Sequence, residues 1–461
     1  MDMKVVMDWL DQIDSVIWGA PMLILLMGTG LLLTLRLDLL QITRLPMALK
    51  LIFTAPNEGE GDVTSFKSLC TALAATVGTG NIVGVATAIA AGGPGAMFWM
   101  WLAAFLGIAT KYAEGLLSIK YRITDDKGEI SGGPMRYIEL GMGTKFTPLA
   151  KLFAFFGASA GILGIGTTTQ ANSVIDACNS SFGISRELCA AILTLLVAVT
   201  ILGGLKSIAV VSSKVVPLMA VLYFIFGSGI ILYHIDRVPA IFDLILASAF
   251  TGQAAIGGFG GAAFANAIRN GVARGIFSNE AGLGSAPIAS AAATTKWPAE
   301  QGLISMTGTF LDTIVICSIT GLSLLLTGAW TGTLRGAQMT QAAWADVYPL
   351  SGSYIMTICL VLFASTTILG WAYYGERCMS YLFGVKSTLP YRIGWVIVVG
   401  IGPFLPLDVV WLVADITNGL MAFPNLIALI ALSGVVVSET HAYFKHVNDL
   451  KISGGNSGTR G

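Results

Sequence analysis

Apolar residues run continuously along this chain instead of alternating. Runs of about 20 residues, the length that crosses ~30 Å of hydrocarbon, recur throughout. They fall at 16–35, 67–91, 95–120, 148–177, 188–204, 209–233, 255–293, 301–328, 353–383, 391–408 and 410–436. Unbroken runs predict helices, because a closed barrel would show short alternating segments. The pattern therefore predicts an all-α membrane protein of about eleven transmembrane helices, one leading helix followed by two blocks of five. The first run follows Asp2, Asp8, Asp11 and Asp14. A cleavable signal would open on basic residues, so this run reads as a retained span.

Composition agrees with that class. Hydrophobic residues make up 55% of the 461 positions and charged ones 11%, against about 25% charged in soluble domains. Mean hydropathy is +0.77. Net charge is zero and no long basic tract occurs, which removes the usual case for nucleic acid. Cys70, Cys178, Cys189, Cys317, Cys359 and Cys378 are scattered without a CxxC, and read as packing residues. The histidines show no metal-binding spacing. No HExxH motif suggests an enzyme. With the N-terminus outside and the C-terminus inside, nearly all Lys and Arg fall in inner loops. Only Lys4, Arg186, Arg237 and Arg335 are left outside. The expected organisation is a leader, first helix and connection over 1–60, repeats over 61–239 and 240–440, and a cytoplasmic tail over 441–461. The loop Thr124–Lys145 reads as a solvated connection, and the Gly/Ser-rich stretch 452–461 as disordered.

Two runs contain residues that a buried helix would avoid. The first reads Gly78-Thr79-Gly80-Asn81-Ile82-Val83-Gly84. Glycine costs about 1 kcal/mol against alanine inside a helix. One reading is close packing through a GxxxG. The other is a deliberate break, whose carbonyls face a cation and whose new helix N-terminus faces an anionic group. The second run reads from Asn270 to Pro287 and includes Gly275-Ile276-Phe277-Ser278-Asn279-Glu280-Ala281-Gly282. Asn81 and Asn279 each stand three residues before a glycine, and each run opens a block of five spans of opposite orientation. Paired interruptions in inverted halves point to the binding site of a secondary transporter.

The stretches GTGNIVGVATAIAAGGPGAMFWMW and GIFSNEAGLGSAPIA, with SGGPMRYIE and GWAYYGER, resemble those of the alanine or glycine:cation symporter family. The resemblance runs over essentially the whole chain. It implies a leucine-transporter-type fold, an inverted repeat with two broken helices. It also implies sodium-driven uptake of alanine and glycine across a bacterial inner membrane, with sodium as coupling ion and no cofactor. Oligomeric state is left open.

A zwitterionic substrate suggests roles for the polar groups. Amide donors at Thr79, Gly80 and Asn81 suit the carboxylate, as the resemblance also implies. Carbonyls of Gly275, Ile276 and Phe277, neighbouring Ser278 and Asn279, and the side chain of Gln170 suit the ammonium. Gln170 equally reads as an interhelical hydrogen bond. The resemblance implies a sodium site from Thr366 and Thr367 with Thr76 and Gly78. The plain alternative is hydroxyl back-bonding to the preceding turn. Thr367 and Trp371 border the expected pocket, where Trp371 is either a cap or a packing aromatic. Glu280 supports a cation, pairs with Arg274 or Arg269, or carries a proton, the last giving an alternative proton-coupled symporter. Lys111 and Glu114, at i and i+3, can pair on one face. Asp312 reads as a hydrogen-bonded structural acid. A channel built from such breaks usually gathers repeated subunits about an axis, unlike this single chain.

Overall fold

A computed structural model describes residues 3–56, 58–251 and 260–455. They are overwhelmingly helical; the sheet among them is one antiparallel hairpin, Ile123–Thr124 with Ile130–Ser131. Among the described residues seven helices are long and apolar enough to cross a membrane. They are Val5–Arg36, Ala96–Lys120, Thr144–Phe182, Gly204–Tyr233, Pro298–Thr327, Gly352–Phe383 and Asp408–Ala431. The pair Ser65–Thr76 and Gly80–Gly92, bent by 50°, makes an eighth if taken as one span.

The sequence count of eleven is not reached by this measure. Arg186–Leu202 and Thr388–Ile401 are helices of 17 and 14 residues. At ~1.5 Å per residue they fall short of ~30 Å. The expected span 255–293 is interrupted, and its part at 255–259 lies outside the described residues.

Burial separates an inner layer from an outer one. In Ala96–Lys120, 89% of the apolar window is buried; in Gly204–Tyr233 it is 28%. The inner helix is the less apolar of the two. It carries Thr110, Lys111, Glu114 and Ser118 into the protein interior. The outer helices expose Leu195, Val199, Leu218 and Ile225, side chains suited to lipid.

Both expected interruptions are present. The first helix ends at Thr76, passes Val77-Gly78-Thr79, and resumes through a π turn at Gly80–Gly84. The second runs unbroken from Gly260 to Asn279, loses helical geometry over 280–285, and resumes at Ala286–Ser290. Glu280, Gly282 and Gly284 all have positive φ there, +57°, +88° and +81°. A Cβ on Gly284 would lie 2.6 Å from Pro134 Cγ, so glycine is required for space as well as for φ.

A third break was not expected. The run 148–177 is two helices, Thr147–Leu163 and Thr168–Phe182. A Cβ on Gly164 would meet Ala414 Cα at 2.8 Å, and one on Gly166 would meet Trp371 Cβ at 2.6 Å. The hydroxyls of Thr167 and Thr168 take the freed carbonyls of Ile162 and Leu163 at 2.7 and 2.9 Å. The loop 124–145 also departs from expectation. Its tip is exposed, but Ser131, Met135, Tyr137 and Ile138 are buried. The last helix, Ser433–Gly455, extends into the stretch expected to be disordered, and 456–461 lie outside the described residues.

The two faces of the bundle differ. On one, the segment before the first broken helix is zipped to the segment after the second. Asp62 N donates to Ala292 O at 2.9 Å and Thr294 N to Val63 O at 2.8 Å. Arg122 clamps the carbonyls of Glu60, Ala291 and Ala293 at 2.7–2.9 Å. Arg377 binds Asp125 at 2.9 Å and also Glu129. On the other face a cavity of about 710 Å³ is lined by Asp11, Asp14, Asp176, Arg274, Asp408 and Asp415, among others.

The first broken helix is held against Gly352–Phe383 at Gly370, where a Cβ would lie 2.7 Å from Ala75 Cβ. Gly370→Val should therefore destabilise the protein by about 1–3 kcal/mol. The check is a lower thermal transition of the purified protein in detergent.

Candidate functional site

The two breaks face each other. A Cβ on Gly80 would lie 3.0 Å from Ser278 Cα. A Cβ on Gly84 would have nothing nearer than 4.0 Å. Close packing therefore accounts for the first glycine of the GxxxG and not for the second.

Asp312 joins the breaks. Its Oδ1 accepts Asn81 Nδ2 at 2.7 Å, and its Oδ2 accepts Ser278 Oγ at 2.9 Å and Thr313 Oγ1 at 2.8 Å. Thr313 accepts Asn279 Nδ2 at 2.9 Å. Asp312 sits in a π-helical stretch, Phe310–Cys317, facing the π turn of the first break. The wider turn brings Cys317 to the same side as Asp312, and its Sγ lies 3.4 Å from Asn81 Nδ2 and 3.3 Å from Ser278 Oγ. The sequence reading gave Asp312 only a structural role. The signal that marks it is an acid inside an apolar span, a candidate for a functional site by default.

The amide donors of the first break are met by side-chain oxygens. Gly78 N donates to Asn81 Oδ1 at 2.8 Å, and Thr79 N to Gln170 Oε1 at 3.1 Å. Gln170 is held by Nε2 donating to Ile165 O at 2.9 Å, within the third break. Thr79 Oγ1 is buried without a partner among the described residues. Thr79, Asn81 and Gln170 are thus brought together. Gly275, Ile276 and Phe277 are not part of the break; they lie inside regular helix. Gly275 packs on Met100, Ile276 O accepts Glu280 N at 2.8 Å, and the Phe277 ring lies 5.1 Å from that of Trp411, which lines the cavity.

Of the sodium candidates, Thr367 reaches the first break, with Oγ1 3.3 Å from Val77 O. A Cβ on Gly78 would press on that hydroxyl. Thr76 donates to Ala72 O at 3.2 Å, and Thr366 to Phe363 O at 2.9 Å with Met219 Sδ at 3.5 Å. The hydroxyls of Thr76 and Thr366 thus bond to the preceding turn of their own helices.

Glu280 does not pair with arginine. Arg274 binds Asp415 in bidentate fashion and Arg269 binds Asp14 at 3.0 Å. The Glu280 carboxylate instead accepts Trp371 Nε1 at 2.7 Å and the Ser285 hydroxyl. Trp371 is fully buried and tied to the second break, so it is a polar tether as well as a packing aromatic. Nor do Lys111 and Glu114 form an ion pair. Lys111 Nζ donates to Asn279 O at 2.8 Å. Glu114 Oε1 accepts Gly282 N and Gly284 N at 3.1 Å and Asn425 Nδ2 at 2.7 Å.

Irregular backbone buried between helices and stitched by polar side chains is where secondary transporters place their binding sites. Comparison with known proteins decides the family, for the profile of the sodium:alanine symporter family matches residues 3–453. The chain belongs to that family. It is 57% identical to an uncharacterized transporter of Haemophilus influenzae, across 95% of this chain and 96% of that one. It is 52% identical to the sodium/alanine symporter AgcS of Methanococcus maripaludis, across 94% and 96%. Its fold is similar to that of the Eremococcus coleocola manganese transporter, with a TM-score of 0.51 at 13% identity, covering 83% and 82% of the two chains. Family membership makes the protein a multi-pass cation-coupled amino-acid symporter and not an enzyme.

Within this symporter, Asn81 and Asp312 share a buried hydrogen bond of 2.7 Å. Hydrogen bonds to a charged group are worth about 1.5–3 kcal/mol. Asp312→Ala should therefore slow cation-driven amino-acid uptake by about 10- to 100-fold. Asn81→Ala added to it should cost little more, a non-additivity that initial uptake rates of the two single variants and the double variant measure.

Proposed function

We infer that this symporter imports small neutral amino acids, alanine and glycine, by coupling them to sodium through alternating access. The observation that carries the reading is the meeting of two broken helices across Asp312 in a chain of this family. Breaks supply what a zwitterion and a cation each require, amide donors at one helix end and carbonyls at another. The relative named as a sodium/alanine symporter supports both substrate and ion. The proposed organisation is the leading helix followed by inverted repeats over 61–239 and 240–440. Lysine and arginine bias supports an outside N-terminus and a cytoplasmic C-terminus in a bacterial inner membrane. In that orientation the 710 Å³ cavity opens outward and the zipped face closes the inside. Sodium is the only inorganic partner the mechanism uses.

In this mechanism the carboxylate is received at Thr79, Gly80 and Asn81, with Gln170 Oε1 yielding the Thr79 amide it now occupies. Serine 278 and Asn279 border the site from the second break, and Trp371 and Thr367 from the helix Gly352–Phe383. Thr367 with the carbonyl edge at Val77 and Gly78 is the favoured sodium contact; Thr76 and Thr366 would join it by turning away from their own helices. The reading of Glu280 as the proton carrier has weaker support, since both its oxygens accept hydrogen bonds, one from an indole N–H that can only donate.

The test is uptake of labelled alanine into proteoliposomes holding the purified protein. An inward sodium gradient should drive accumulation, and potassium or proton gradients should not. Glu280→Gln should keep sodium-driven uptake. Loss of that uptake, together with accumulation by the unaltered protein under a proton gradient alone, would replace sodium by proton coupling.

A further inference from the structure

Lysine side chains in membrane proteins ordinarily extend toward water. Lys111 does not; it is 3% exposed. Two glycines on its own helix, one turn to either side, let the neighbours close on it. A Cβ on Gly107 would lie 2.9 Å from Ala281 Cβ, and one on Gly115 would lie 2.6 Å from Ser305 Cβ. The ammonium is thereby fixed at the C-terminal end of the helix Gly260–Asn279, where it donates to Asn279 O at 2.8 Å. That carbonyl closes a half-helix at the negative end of its dipole, the kind of place where transporters of this architecture hold a coupling cation.

The surroundings suit a free cation as well as an ammonium. A void of about 10 Å³, room for about one water-sized particle, adjoins Lys111 and is also lined by Thr76, Glu114, Ser290 and Ser305. Glu114 is fully buried, and its Oε2 has no hydrogen-bond partner among the described residues. A backbone carbonyl, a carboxylate oxygen and hydroxyls make a hard-oxygen set. Three buried carboxylates, Glu114, Glu280 and Asp312, lie within electrostatic reach of this one ammonium. Among the described residues, none forms an ion pair with it.

We propose that Lys111 is a tethered cation: its ammonium occupies an alkali-ion-type site between the second broken helix and Glu114, and spares the symporter one free coupling ion. Lys111 is then a positioning residue, holding the second break in its bound geometry without touching substrate. The proposal rests on the sodium-coupled reading for its transport readout, and has a binding readout that does not.

The experiment compares the unaltered protein with Lys111→Ala and Lys111→Met in proteoliposomes and in detergent. In Lys111→Ala the vacated ammonium position admits a free ion. Half-saturating sodium for alanine uptake should rise roughly tenfold, and the Hill coefficient for sodium should increase by about one. Millimolar methylammonium should restore the original sodium curve. It should also raise the thermal transition of Lys111→Ala and leave that of the unaltered protein unchanged. Lys111→Met, which fills the space without charge, should gain nothing from methylammonium. A folded Lys111→Ala with the original sodium curve would overturn the proposal. So would an inactive Lys111→Ala whose thermal transition responds to neither sodium nor methylammonium beyond the unaltered protein. If uptake by the unaltered protein were indifferent to sodium, the sodium-coupled reading would fail, and the methylammonium effect on the thermal transition would still decide the tethered cation.

Discussion

The Asp312 carboxylate is the contact on which the two breaks depend. Irregular backbone inside a membrane protein survives only where protein groups satisfy it, and a buried carboxylate survives only where donors surround it. Here each need answers the other. Asp312 takes Asn81 from the first break and Ser278 from the second, with Thr313 beside it, and Thr313 in turn takes Asn279. Asn81 is occupied on both ends, since its Oδ1 meets Gly78 N while its Nδ2 meets Asp312. Removing the acid would take a partner from an amide and two hydroxyls on three helices at once. The π-helical stretch that carries Asp312 is part of the same solution, because it turns Asp312 and Cys317 toward one side.

Glu280 and Glu114 repeat the device on the far side of the second break. Glu280 adopts a left-handed backbone, which costs about 1–3 kcal/mol for a residue with a side chain. Its carboxylate is fastened at both oxygens, to Trp371 and Ser285, so that geometry is over-determined by its surroundings. Glu114 caps the amides of Gly282 and Gly284 as an acid caps the first turn of a helix. Asn425 bridges Glu114 to the Gly282 carbonyl and accepts the Tyr137 hydroxyl. Through Tyr137 the loop 124–145 is anchored to the break, which explains why part of that loop is buried. Three acids thus hold the irregular segments by charge-assisted hydrogen bonds instead of ion pairs.

Much of this was legible in the residues, and the failures have physical causes. Continuous apolar runs marked most helices, and Gly78–Gly84 and Gly282–Gly284 marked two breaks. The same residue type misled where its use differed. Gly271 and Gly275 pack against Trp99 and Met100, at 2.8 Å and 3.1 Å for added Cβ atoms, whereas Gly282 and Gly284 supply positive φ. Read together they moved the second break toward Gly275. Gly164 and Gly166 were hidden by an apolar run long enough to pass for one span. Partner choice was the least legible feature. Nothing periodic joins Arg274 to Asp415 or Asn81 to Asp312, so Arg274 was offered to the neighbouring Glu280 and Asp312 was given only a structural role.

The stitches also constrain how the bundle can move. The breaks, the helix Pro298–Thr327 and Trp371 are joined by hydrogen bonds that would be costly to leave unmade in a buried site. The zipped face is different. Its closure rests on a short run of backbone bonds between 62–63 and 292–294, the Arg122 clamp, and the contacts of Arg377 with Asp125 and Glu129. Glu60, Asp62, Arg122 and Glu129 lie at the rim, where water can replace lost partners, whereas Arg377, Val63 and Ala291–Ala293 are buried beneath it. A rearrangement that opened this face and kept the Asp312 and Glu280 bonds would carry both breaks as one body. The free energy that ligands supply by binding one state better than another would then act on the rim contacts, and not on the polar core that holds the breaks together.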